Sequence, residues 1–78
     1  MAEARRLESV IRKERLQRYK EVGAAVGVAV TVIANEGEQY THVGKRQTYT
    51  GPVSPGCVFI AIETPDQESL NAFWKRIG

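Results

Sequence analysis

Thirteen consecutive residues without a charge, VGAAVGVAVTVIA at 22–34, constrain this chain more than any other feature. A membrane-spanning helix needs about 20 apolar residues, so the run is too short to cross a bilayer. Basic residues ahead of it and Val32-Ile33-Ala34 at its end imitate a signal peptide with its cleavage site. The region ahead of it, however, is long and carries four Glu, and cleavage would leave forty-four residues. Val and Ile alternate with smaller residues through the run, which predicts a buried strand over 26–34. Asn35-Glu36-Gly37 then makes a turn.

The segment with the clearest punctuation is TPDQESLNAFWKRIG at the C-terminal end. Thr64 reads as an N-cap, Pro65 as the first helical residue and Gln67 as the partner in a capping box. Asp66 and Glu68 suit the positive end of a helix dipole, and Lys75 and Arg76 the negative end. Leu70, Phe73, Trp74 and Ile77 recur at i, i+3, i+4 and i+7, so a helix over 65–77 is expected to bury Phe73 and Trp74. At the other end, residues 3–22 are rich in helix formers, hold no proline and precede Gly23, which predicts a second helix. Its apolar stripe of Leu7, Ile11 and Val22 is narrow, and no Ser, Thr, Asp or Asn caps its start.

Two further strands complete the reading, 39–50 (QYTHVGKRQTYT) and 57–63 (CVFIAIE), joined by the loop GPVSPG. The expected fold is α+β, in the order αβββα. It is a single domain over residues 1–78: a three-stranded antiparallel meander with the N-terminal and C-terminal helices on one face. Strict alternation leaves the middle strand without an apolar face, and a bulge at Gly44 would restore one; the alternative is a tight hairpin at Gly44-Lys45. With the bulge, Val26, Val28, Val30, Val32, Tyr40, Gln47, Tyr49, Val58, Ile60 and Ile62 share the core face. The opposite face is threonine-rich and open, and Thr31, Ile33, Thr41, Val43, Thr48 and Phe59 stand on it as candidates for protein binding.

Catalytic and metal chemistry find little material. The one Cys excludes an internal disulfide and suits a reducing, cytoplasmic setting. Cys57 and His42 are the only thiol and imidazole pair, and the meander register would hold them roughly 26 Å apart at 3.3 Å per residue. Cys57 is therefore expected to be a small buried or half-buried residue, and His42 a sheet residue. One His and one Cys cannot build a zinc site. GAAVGVAV lacks both the Lys-Ser/Thr of a P-loop and the GxGxxG of a dinucleotide fold. No enzyme, metal or cofactor is expected.

Charge is the remaining signal. Seven of the eleven Lys and Arg fall in residues 5–20, although the net charge is only +2. On a helical wheel Arg5, Arg6, Arg12, Lys13 and Lys20 share one arc opposite the apolar stripe, and Lys45 and Arg46 would extend it. Such a face suits either solvent or a nucleic-acid backbone. The order αβββα resembles that of the double-stranded RNA-binding domain. Here, however, the first turn reads NEGE in place of a GPxH-type loop. The second helix opens PDQES, acidic where that family's basic start would meet phosphate.

Two functions are therefore carried forward. The first is a small non-enzymatic regulator, adaptor or inhibitor acting through protein contacts, of a size that would suit a phage or mobile-element accessory protein. The second is a nucleic-acid binder using the basic helix. No membrane role is expected. Strand 26–34 has no charge and no proline to guard its edge, so pairing with a second copy or with a target strand is expected; the alternative is strand 57–63 lying beside it within one chain, with the polar strand 39–50 left outside.

Overall fold

The computed structural model describes residues 4–78. Its elements run β1 (Arg5–Arg12), a 3-10 turn (Lys13–Arg15), α1 (Leu16–Val26), β2 (Ala29–Ala34), β3 (Gln39–Val43), β4 (Thr48–Pro52), β5 (Cys57–Thr64) and α2 (Gln67–Ile77). The architecture is α+β, with two helices and antiparallel strand pairs. In place of the expected αβββα meander there are five strands in two sheets, one ordered β1-β5-β2 and the other the β3-β4 hairpin.

The largest departure is at the N-terminal end, where residues 5–12 form a strand instead of a helix. The cause lies fifty residues away, in β5. CVFIAIET is buried along both faces, so both rows of its backbone N–H and C=O groups need partners within the protein. β2 covers one side and β1 the other, in unbroken register from Arg5 opposite Thr64 to Arg12 opposite Cys57. Tertiary pairing thus overrides the local helix preference of Arg, Leu and Glu, which is weak per residue and carries a costly nucleus. β1 and β2 both run antiparallel to β5, hence parallel to each other, with α1 between them in sequence; this is a split β-α-β arrangement. Glu3, the first residue of the expected helix, lies outside the described residues.

Both helices cover one face of this sheet, as expected of a two-helix layer. Val58, Ile60 and Ile62 of β5 meet Ile11, Tyr19, Val28, Leu70, Phe73 and Ile77 there, with Val30 and Val32 alongside. The helix next to the strands is α1, over 16–26. Leu16, Tyr19, Val22 and Val26 supply its stripe, and Gly23 sits where α1 touches the strand that follows. A Cβ at Gly23 would stand 2.4 Å from the Val28 carbonyl oxygen, so the close approach requires glycine. Gly27 (φ 79°) ends α1, and the Val28 N–H returns to the Gly23 carbonyl at 2.8 Å, a Schellman-type stop.

α2 begins two residues later than expected. Thr64 is still paired in β5, opposite Arg5, and its hydroxyl donates to the Asp66 carbonyl at 2.8 Å. The N-cap is Asp66, whose carboxylate accepts the Ser69 N–H at 2.7 Å. Phe73 is fully buried as expected, but Trp74 is 40% exposed.

The middle segment also differs. Residues 39–50 do not form one strand, and the bulge expected at Gly44 is absent. The chain reverses there through Gly44–Gln47, closed by the Gly44 N–H on the Gln47 carbonyl at 2.8 Å. The alternative of two short strands is the one observed. The irregularity in the main sheet is instead at Ile33, where the register of β2 on β5 shifts between Val32 and Ala34.

Candidate interaction surfaces

The β3-β4 hairpin lies against the sheet face that the helices leave free. Its anchor is Phe59, 1% exposed, packed with Ala34 and Val53 and flanked by Tyr40 and Cys57. The Tyr40 ring centre is 4.3 Å from that of Phe59 and 5.2 Å from that of Tyr49, and the His42 ring is 5.8 Å from Phe59. Gly51 has no side chain where Tyr49 lies; a Cβ there would stand 2.7 Å from the Tyr49 hydroxyl. Burial raises the Tyr40 phenol above its ordinary range, with Tyr49 and Cys57 adding to the shift. Phe59, expected on an open binding face, is therefore core. Tyr40 and Tyr49, expected on the helix side, belong to the opposite side.

Turns and loops lock this second layer to the first. The Gly37 N–H donates to the Val53 carbonyl and the Val53 N–H to the Glu38 carbonyl, both at 2.9 Å. Glu36 accepts the Gly56 N–H at 2.7 Å and the Lys13 ammonium at 3.0 Å. These two contacts, the Gly56 N–H first, hold its carboxyl below the usual carboxylate range. Lys13 therefore ties the end of β1 to two loops.

The cations expected to share one helical arc are dispersed. Arg5 stands opposite Thr64 and Arg6 opposite Glu63, on alternate sheet faces. Arg6 pairs with Glu8, and Arg12 with Glu14 at 3.3 Å. Lys20 is exposed on α1, and Lys45 and Arg46 occupy the hairpin turn. Loss of the αβββα order also removes the comparison with the double-stranded RNA-binding domain. Of the candidate protein-binding residues, Thr31 and Ile33 lie on β2, with Ile33 43% exposed. Thr41, Val43 and Thr48 lie exposed on the hairpin, which is the other sheet.

No protein family, curated protein or solved structure matches this chain. Cys57 is half-buried, and the meander register that separated it from His42 does not form, because β3 pairs with β4 and not with β5. Among the described residues no three His, Cys, Asp or Glu gather as a metal site, and no helix is long and apolar enough to cross a membrane.

The two edges of the main sheet differ. β1 carries Arg5, Arg6, Glu8 and Arg12 along its length, charges of the kind that discourage edge pairing. β2 reads AVTVIA, without charge or proline, and among the described residues it is hydrogen-bonded to a strand, β5, on one side only. Sequence reasoning missed the edge role of residues 5–12. The signal was the alternation of Leu7, Ser9 and Ile11 with Arg6, Glu8, Val10 and Arg12, which is strand-like.

Proposed function

We propose that this chain is a small non-enzymatic protein of the regulatory, adaptor or inhibitor kind, working by protein contact through the open edge of β2. The first partner is a second copy of itself. The observation that carries the reading is an uncharged edge strand in a sheet whose other edge is charged. Ala29, Thr31 and Ile33 are exposed along it, so a partner strand meets no buried or repelling group. Antiparallel pairing of two β2 strands about a two-fold axis would join the sheets in the order β1-β5-β2-β2-β5-β1. Each copy would then satisfy the other's unpaired backbone. The bulge at Ile33 limits the regular edge to Ala29–Val32, so this dimer is modest and forms as concentration rises.

Sedimentation across a wide concentration range tests this, together with proline at two successive positions, Val30→Pro and Thr31→Pro. Successive strand amides point to opposite edges. One proline therefore removes an outward donor and keeps the fold, while the other breaks the β5 ladder. The folded variant is expected to be monomeric where the parent chain dimerises. A parent chain that stays monomeric at the highest concentration reached contradicts the self-pairing.

A further inference from the structure

The β3-β4 hairpin is anchored at its base and bare at its tip. At the base, Tyr40 and His42 turn their rings to Phe59, with ring centres 4.3 and 5.8 Å away, and Gly51 and Val53 are buried. From Val43 to Thr50 every residue is exposed. The exposure reaches both faces of the ribbon, since Val43 is 72% exposed and Tyr49, cross-strand partner of His42, is 48% exposed. The distal hairpin is thus a two-stranded ribbon in solvent, closed by the Gly44 N–H on the Gln47 carbonyl at 2.8 Å.

Its outer face is uncharged and its tip is cationic. Thr41 stands opposite Thr50 and Val43 opposite Thr48, and the Thr41 and Thr50 hydroxyls meet at 3.2 Å, so these four side chains share one face. Lys45 and Arg46 occupy the turn just beyond them. The cations of β1 alternate or pair with Glu8 and Glu14, but residues 39–62 hold no Asp or Glu at all. The two acids that precede the hairpin are engaged elsewhere. Glu36 binds Lys13 and the Gly56 N–H, and Glu38 accepts the Asn35 N–H. Neither Lys45 nor Arg46 enters an ion pair among the described residues.

We propose that this ribbon binds duplex DNA by entering the major groove, with Lys45 and Arg46 on phosphates and Thr41, Val43, Thr48 and Thr50 against base edges. The major groove of B-form DNA, about 12 Å wide and 8.5 Å deep, admits a two-stranded ribbon. Strands of five residues give this one a length of about 16 Å at 3.3 Å per residue. Threonine hydroxyls can bond to any base edge, while their methyl groups and Val43 fit the thymine methyl. Duplex RNA is excluded, because its major groove is too narrow for side chains to read. An acidic protein surface would satisfy the two cations but would give the hydroxyl and methyl face nothing to read.

Amide shifts of a nitrogen-15-labelled chain locate the contact residue by residue and suit a weak complex. Titration at low salt with a thymine-rich twelve-base-pair DNA duplex should move the amides of 41–50 and leave those of the two helices in place. Affinity should fall about tenfold between roughly 50 and 200 mM salt, the loss for two neutralised phosphates. Lys45→Gln with Arg46→Gln should remove that salt dependence. Thr48→Glu, a like charge set on the exposed outer face, should weaken binding about tenfold while the main-sheet amides of the free chain stay unchanged. An absence of shifts in 41–50 at millimolar duplex would overturn the proposal. So would equal shifts with a duplex RNA of the same sequence or with poly-glutamate, or undiminished affinity of a folded Thr48→Glu chain.

Discussion

Phe59 is where the account of the second layer can be tested most severely. The residue is 1% exposed, and what covers it is the β3-β4 hairpin together with Val53, itself 1% exposed. Truncating a fully buried Phe to Ala costs about 3–5 kcal/mol, from lost transfer energy plus the cavity left behind. A chain of this size has a total stability of roughly 4–12 kcal/mol at 0.05–0.15 kcal/mol per residue, so Phe59→Ala should remove a large share of it. With a urea slope of about 1 kcal/mol/M, the midpoint should fall by about 3 M or more, read by far-ultraviolet circular dichroism. Val53→Ala opens part of the same cavity from the opposite wall. The double variant should therefore lose measurably less than the sum of the two, because residues in contact typically couple by about 0.5–3 kcal/mol. If the two losses add within about 0.5 kcal/mol, Val53 does not pack on Phe59, and the hairpin does not cover the sheet as described.

Three other outcomes are expected. Trp74→Ala should cost no more than about 2 kcal/mol, since a large part of the ring is already in water, whereas Phe73→Ala should cost about 3–5 kcal/mol. Equal losses in parallel denaturation curves would show Trp74 to be core. Gly23→Ala should destabilise by about 1–3 kcal/mol, although Ala is the better helix former, because the new Cβ meets the Val28 carbonyl oxygen; a raised melting temperature would refute that close approach. The carboxyls of Asp66 and Glu36 are both held below the usual carboxylate range, Asp66 chiefly by the Ser69 N–H and Glu36 chiefly by the Gly56 N–H. A lowered folded-state pKa means that the unfolded chain binds protons first. Their contribution is present above the ordinary carboxylate range and is lost below about pH 4. Thermal melts of Asp66→Asn with Glu36→Gln should show a flatter fall in acid than the parent chain, and an unchanged slope would remove these two groups from the acid transition.

The parts of the fold that rest on local chemistry were legible in the sequence. The apolar period of α2, the turn at Asn35–Gly37, the strand character of 57–63 and its three helix-facing residues all follow from spacing and turn residues. The parts that rest on a distant partner were not. Arg5–Arg12 is a strand because β5 needs a second neighbour, and nothing within RRLESVIR itself says so strongly enough to outweigh its helix formers. Thr64 looked like a cap, yet remains in the β5 ladder and leaves capping to Asp66. Phe59 looked like an exposed exception on a wet face, because only the folded hairpin supplies its cover. The basic face drawn from a helical wheel disappeared with its helix, and Trp74, assigned to the core by period alone, is 40% exposed.

The open edge of β2 can be observed directly by amide hydrogen exchange of residues 29–34, followed at low and high protein concentration. Amides bonded to β5 should be protected at both concentrations. The amides on the outer edge should exchange freely when dilute and become protected as the concentration rises, with the β1 edge unchanged. Outer-edge amides of β2 that exchange at one rate throughout would contradict the claim that this edge pairs with a second copy. So would protection that appears on β1 instead.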